Sequence, residues 1–154
     1  MKVEQFMTID PACCTPEDGV EVAAEIMRRL DTGIVPVTRD LVQPSKLLGV
    51  ITDRDLCLGV VAAGRERIAI RVGELMSTRL VVCRPSDTGE QVLARMKRAR
   101  VRRLPVVNRD FEVIGMVSLA DIVRAHAVKD SDLSKTLAVI SVPLTIVPMR
   151  ARAA

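Results

Sequence analysis

The chain has almost no aromatic side chains: two Phe, no Trp and no Tyr in 154 residues. Its core must therefore be built from Val, Ile, Leu, Met and Ala, and it offers no stacking platform for exposed nucleic-acid bases. Histidine is nearly absent too, with His126 alone. Four cysteines stand at 13, 14, 57 and 83 without a CxxC pair, so the spacing of a zinc site is missing and no metal is expected. We read these cysteines as small buried hydrophobes, with adjacent Cys13 and Cys14 pointing to opposite faces of a strand. No apolar run approaches the roughly 18 residues of a membrane span. The opening MKVEQFMTID lacks the apolar stretch of a signal peptide, so a cytoplasmic protein without a membrane partner is expected. There is no glycine-rich phosphate loop of Walker or Rossmann type. No nucleophile, base and orienting group are set out together, so no catalytic residues and no enzyme are expected.

What is present is ample apolar material: 49% of residues, with a mean hydropathy of +0.25, interrupted everywhere by charge. The length fits one domain or an intimate pair of small units. The net charge of +4 is unevenly spread, because residues 95–103 read RMKRARVRR. Such a run is either a solvated helix face with its exit loop or a binding surface for phosphate or nucleic acid.

The chain also repeats itself. At an offset of 69, Val3 meets Val72, Met7 meets Met76, Cys14 meets Cys83, Pro16 meets Pro85 and Asp18 meets Asp87. Glu21, Met27, Arg29, Pro36 and Val37 likewise meet Glu90, Met96, Arg98, Pro105 and Val106. Chance would supply about two identities over such a stretch. Further on, GVITDRDL at 49–56 and GMVSLADI at 115–122 align at an offset of 66. The first copy thus carries three extra residues between Pro36 and Gly49, in the polar stretch TRDLVQPSKL, which reads as a longer hairpin loop.

Each copy offers the same elements. Helices are expected to start at TPEDG (15–19) and RPSDTG (84–89), with Pro near the first helical position. Val20, Ala23, Ala24, Met27 and Leu30 then fall at helical spacing, as do Val92, Leu93, Met96 and Ala99. Strands follow at 34–37 and 46–52, and at 104–107 and 112–118. Second helices are expected over 53–64 and 119–128. A short strand is expected before each first helix, at ACC (12–14) and LVVC (80–83). The fold class is α/β in the α+β sense: two β-α-β-β-α repeats related by a pseudo-two-fold. The division is 3–64 for the first repeat, 65–71 for a linker and 72–128 for the second. Residues 129–154 form a short helix, over 129–141, and a loosely held tail. One copy alone buries little and leaves sheet edges open, so the two are expected to stack sheet against sheet.

Thr52-x-x-Asp55 and Ser118-x-x-Asp121 each end an apolar strand and open a helix. The spacing is that of a capping box, a purely structural device. The same geometry suits a nucleotide: a helix start offers N–H groups to phosphate, the hydroxyl adds a donor, and the carboxylate accepts from both hydroxyls of a ribose diol.

The phrase G-h-h-[TS]-x-x-D (h, aliphatic), preceded by h-P-V and a helix opened by proline, resembles the CBS (cystathionine β-synthase) domain. Two in register resemble a CBS pair, or Bateman module, over residues 3–128. The resemblance implies a cleft between the repeats for AMP, ADP, ATP or another adenosyl compound, with no cofactor required. It implies that Asp55 and Asp121 hold ribose and that Thr52 and Ser118 face phosphate. It places Ile34, Val35, Pro36 and Val37, and Leu104, Pro105, Val106 and Val107, along the base pocket. Basic residues before the h-P-V strand fall on Arg102 and Arg103 in the second copy but on Gly33 and Ile34 in the first. Conversely, Arg54 of the first copy faces Ala120 of the second, and Asp53 aligns with Leu119. The resemblance also implies a homodimer joined through helices, and a regulated protein on a separate chain, unidentified by this sequence. Two other readings stay open: a structural dimerisation module with vestigial sites, and a nucleic-acid-associated protein using 95–103. The lack of aromatics and of a helix-turn-helix signature weighs against the latter.

Overall fold

The structure, a computed structural model, describes residues 1–42, 44–66 and 70–142. A 3₁₀ turn at Val3–Gln5 leads into strand β1 (Thr8–Ile9), helix α1 (Val20–Leu30) and the hairpin β2 (Ile34–Thr38) and β3 (Leu47–Thr52). Helix α2 (Asp53–Leu56) continues as a π-helical turn, Cys57–Val61. The second half holds α3 (Val72–Leu75), α4 (Gly89–Ala99), the hairpin β4 (Arg103–Val107) and β5 (Val113–Ser118), α5 (Leu119–Arg124) and α6 (Asp130–Ile140). The helix expected over 129–141 is thus present; the tail beyond Val142 lies outside the described residues.

The two long helices bury matching stripes. Val20, Ala23 and Met27 of α1 pack with Cys14, Val35, Val37, Ile51 and Val72. Val92, Leu93 and Met96 of α4 pack with Cys83, Leu104, Val106, Val117 and Ile122, among others. Each fully buried aliphatic contributes about 1.5–3 kcal/mol relative to exposure, which is how a core without aromatics suffices. A third small cluster, Leu47 with Val107 and Val113, joins the repeats. Around it Leu47 N–H donates to Phe111 O and Val113 N–H to Ser45 O. The hairpin loop of 39–46 exceeds that of 108–112 by the three residues expected.

Two expectations about local structure are corrected. Pro16 and Pro85 do not open the helices, which begin after Gly19 and Thr88. Instead Asp18 and Asp87 accept from Thr15 N–H (2.7 Å) and Arg84 N–H (2.6 Å), closing a turn ahead of each helix. Of these two helices α4 alone has a side-chain cap, Thr88, in a capping box with Gln91. Nor do 12–14 and 80–83 form strands. Cys14 and Cys83 each make one parallel bridge, to Val37 and Val106. Cys14 N–H donates to Pro36 O and Thr38 N–H to Cys14 O. Extending that ladder by one step would need a Pro36 N–H, which proline lacks, and Pro105 limits the second copy identically. On its inner side each proline faces no ladder bond, so the hairpins β2–β3 and β4–β5 are intact.

The repeats exchange their opening segments. Val3 N–H donates to Asp87 O across to the second repeat, and Val72 N–H donates to Asp18 O of the first, both at 2.9 Å. Val3 is buried in the second core and Val72 in the first. β1 pairs with β5, giving a three-stranded sheet β1-β5-β4, while the equivalent Ser77 makes a single bridge to Val50 beside the two-stranded sheet β2-β3. This reciprocity is the product of a pseudo-two-fold and ties the halves together.

The glycine of the repeated phrase follows from this crossing. A Cβ on Gly115 would stand 2.8 Å from Thr8 O and 2.9 Å from Met7 Sδ. One on Gly49 would stand 3.0 Å from Ser77 O and 2.8 Å from Met76 Sδ. Only hydrogen fits where the exchanged backbone passes over the strand.

Candidate ligand-binding clefts

Two clefts lie along the junction of the repeats. The first, of about 640 Å³, is lined by Thr52, Asp53, Arg54 and Asp55 from one repeat and by Arg100, Arg102, Arg103, Leu104 and Pro105 from the other. Gly33, Ile34, Val50, Ser77, Arg79, Leu80, Val81, Val101 and Ile140 complete it. The second, of about 330 Å³, holds Ser118, Asp121 and Arg124 with Asp31, Thr32, Ile34, Pro36 and Arg103, beside Thr8. Each cleft thus joins the [TS]-x-x-D junction of one repeat to the h-P-V strand of the other. Arg102 and Arg103 of the second copy face Thr52 and Asp55 of the first.

The expected site residues divide as follows. Ile34, Thr52, Arg54, Asp55, Arg102, Arg103, Leu104 and Pro105 line the first cleft. Ile34, Pro36, Arg103, Ser118 and Asp121 line the second. Val35 lines neither, because alternation along β2 turns it into the first core, where it is fully buried. Val37, Val106 and Val107 are buried likewise.

The capping boxes are fully formed. Asp55 N–H donates to Thr52 Oγ1 (3.2 Å), Thr52 N–H to Asp55 Oδ2 (2.9 Å), and the Thr52 hydroxyl to the same oxygen (2.7 Å). Ser118 and Asp121 repeat this at 3.1, 2.7 and 2.6 Å. The hydroxyl protons expected to face phosphate therefore point to the aspartates. The amides at the start of α2 are engaged too: Asp53 N–H donates to Gly33 O, and Arg54 N–H to Asp53 Oδ1. The first two amides of α2 are thus not free, and the cations of the cleft are guanidinium groups.

The clefts differ in charge. The first holds Arg54, Arg79, Arg100, Arg102 and Arg103 against Asp53 and Asp55; the second holds Arg103 and Arg124 against Asp31 and Asp121. α1 and α4 both end on a left-handed residue, Asp31 (φ 49°) and Arg100 (φ 55°), which occupy equivalent places in opposite clefts with opposite charge. The basic stretch 95–103 is not one surface. Arg95 turns back to pair with Asp87, Lys97 and Arg98 stay on α4, and Arg100, Arg102 and Arg103 enter the first cleft.

Sequence reasoning missed Thr8, Ser77, Arg79, Asp31, Arg124 and Ile140. A signal existed for Thr8 and Ser77, which are hydroxyl residues at the repeat offset of 69. For the others only the path of the chain brings them in. Among the described residues no group of three or more His, Cys, Asp or Glu side chains is placed to hold a metal ion. No helix among them is long and apolar enough to cross a membrane.

The model of the CBS domain matches the chain twice, over residues 3–61 and 72–128. The chain belongs to the CBS domain family, as a tandem pair. It is 34% identical over 120 residues to the CBS domain-containing protein YhcV of Bacillus subtilis, spanning 78% of this chain and 81% of that protein. Among solved structures it resembles the Mycobacterium tuberculosis Hypoxic Response Protein I with two coordinated zinc ions, at a TM-score of 0.71 and 29% identity, covering 80% of this chain and 98% of that one. It also resembles CBSX2 in complex with AMP, at a TM-score of 0.68 and 29% identity, covering 81% of this chain and 95% of that one.

Proposed function

We propose that this chain is a regulatory, non-catalytic module that binds an adenine nucleotide or another adenosyl compound in the first cleft. The observation that carries the reading is the state of Asp55: its Oδ2 is held by the Thr52 cap, while Oδ1 has no partner among the described residues. That oxygen stands ready for a ribose diol in a cleft that also holds Arg54, Arg102 and Arg103 for phosphate and the apolar Leu104–Pro105 strand for a base. The AMP complex of CBSX2 supports the ligand class. In the second cleft Asp121 Oδ1 is already taken by Arg124.

A ligand spanning both repeats favours one relative orientation to the extent that it binds that orientation better, and a separate protein reads the result. α6 shares the wall of this cleft through Ile140, and Arg100 donates to Val142 O (3.4 Å), so occupancy acts on the last helix as well. Association into a homodimer belongs to this reading. Leu58 and Val61 on the π-helical turn are 53% and 76% exposed beside a groove lined by Val20, Ala24, Leu56 and Val60.

The test is a thermal-shift and calorimetric screen with AMP, ADP, ATP, S-adenosylmethionine, NADH and GTP. Saturation at about a hundredfold over Kd stabilises by roughly 2.7 kcal/mol. Stabilisation by an adenosine compound that Asp55→Ala removes is the expected result. No stabilisation by any of them would favour a structural dimerisation module instead.

A further inference from the structure

Among the described residues the arginines of the first cleft make no ion pair, as is also true of Arg29, Arg39, Arg71, Arg84, Arg98 and Arg109 elsewhere; what sets the cleft apart is that five arginines line one cavity. Arg28, Arg65, Arg95 and Arg124 each form an ion pair, with Glu25, Glu74, Asp87 and Asp121. Arg54, Arg79, Arg100, Arg102 and Arg103 converge on one cavity without an ion pair to any carboxylate among the described residues. Among the described residues the Arg100 guanidinium has only the Val142 carbonyl. Asp53 and Asp55 are the cavity's two opposing charges. Asp53 lies against Gly33, where a Cβ would come within 2.8 Å of its Oδ2 and 3.5 Å of Arg103 Nη1. Five like charges around a walled space repel one another, and they are held together by the fold rather than by partners. The second cleft, built from equivalent segments, balances its charges.

From this we infer that the first cleft selects its nucleotide by phosphate count: it takes an adenosine polyphosphate, with two or more phosphates, in preference to the monophosphate, and excludes cationic adenosyl compounds. The inference rests on the proposed reading of this cleft as a nucleotide site. A monophosphate supplies fewer than two full negative charges near neutral pH, and each further phosphate adds about one. The first cleft sets five arginines, of which Arg103 also borders the second cleft, against two aspartates, and a diphosphate or triphosphate chain is the ligand that brings such a cavity near neutrality. The sulfonium of S-adenosylmethionine would add charge of the wrong sign. A cavity of about 640 Å³ admits one such small molecule rather than a polymer strand. Arg79 and Arg100 are the residues assigned to the outer phosphates. They are exposed and belong to neither the [TS]-x-x-D junction nor the h-P-V strand.

The experiment is calorimetric titration of the full chain with AMP, ADP, ATP, S-adenosylmethionine and inorganic tripolyphosphate at two salt concentrations. It is repeated on the Arg79→Gln/Arg100→Gln double variant, whose fold is checked by circular dichroism. ATP is expected to bind about tenfold tighter than AMP or better, and to lose more than AMP when salt rises. In the double variant the gap between them should close to about threefold, with AMP affinity nearly unchanged. S-adenosylmethionine should show no heat of binding. Equal or tighter binding of AMP, or comparable binding of S-adenosylmethionine, overturns selection by phosphate count and leaves the nucleotide site standing. Binding of tripolyphosphate with no adenosine compound bound overturns the nucleotide reading itself, and this inference with it.

Discussion

Arg124 donates through Nη2 to Asp121 Oδ1, the carboxylate oxygen that the Ser118 cap leaves free. At the equivalent place in the first repeat stands Leu58, which can donate nothing, so the matching oxygen of Asp55 is open. Two aspartates that are interchangeable in sequence thus have different chemistry in the fold. Asp55→Ala should remove two charge-assisted ribose bonds at about 1.5 kcal/mol each, a loss of roughly a hundredfold in nucleotide affinity. Asp121→Ala should change affinity by less than about threefold. Both lose a cap and about 1 kcal/mol of stability, so denaturation curves should move together while calorimetric affinities separate. Equal losses of affinity in the two variants would place ligand in both clefts.

Gly115→Ala forces a methyl group onto Thr8 O and Met7 Sδ. The backbone carbonyl belongs to the exchanged segment and has to move. We expect a cost of about 1–3 kcal/mol, read as a lower denaturation midpoint with an unchanged m value. An unchanged midpoint would mean that the crossing segment yields freely.

Burial pushes the Asp87 carboxyl up, but the hydrogen bond from Arg95, that from Arg84 N–H and the two guanidinium charges more than offset it, holding it below the usual carboxylate range. Its ionised form is therefore favoured in the folded state. The stability it contributes is present above the unfolded value of about 4 and is lost as pH falls through the lower folded value. Asp87→Asn should cost about 1 kcal/mol at pH 7. The gap from the parent protein should narrow steadily below about pH 4, and a gap independent of pH would remove the charge from the explanation.

Burial pushes the thiols of Cys14 and Cys83 up to about 12, with nearby Asp18 and Asp87 adding to it. Each donates weakly to a proline carbonyl, Pro36 or Pro105, inside its core. Iodoacetamide near pH 8 should therefore modify exposed Cys57 first and leave Cys14 and Cys83 untouched until the protein unfolds. Peptide mass mapping over a time course distinguishes this from uniform labelling, which would mean that the cores open readily.

Much of the architecture is legible in the chain itself. The offset identities mark two copies, the helical stripes include the buried Val20, Ala23 and Met27 and Val92, Leu93 and Met96 although Ala24 and Leu30 at the same spacing are exposed, and the three-residue surplus marks the longer loop. Those signals are local, and they depend on side-chain period and turn chemistry alone. The short strands expected at 12–14 and 80–83 depend instead on a partner distant in sequence: the N–H that Pro36 and Pro105 lack restricts each to one bridge.

The sequence by itself determined the repeat, the aliphatic core, both capping boxes and the residue types available to meet ribose and phosphate. Only the tertiary structure decided which of those residues meet. Val3 and Val72 cross into the opposite cores, Arg102 faces the aspartate of the other repeat rather than its own, and Arg103 borders both clefts. Such pairings join residues tens of positions apart through a pseudo-two-fold that no local pattern encodes. The same packing sends five arginines into one cleft and closes Asp121 with Arg124 in the other, because charge becomes a property of a site only after the chain has placed it.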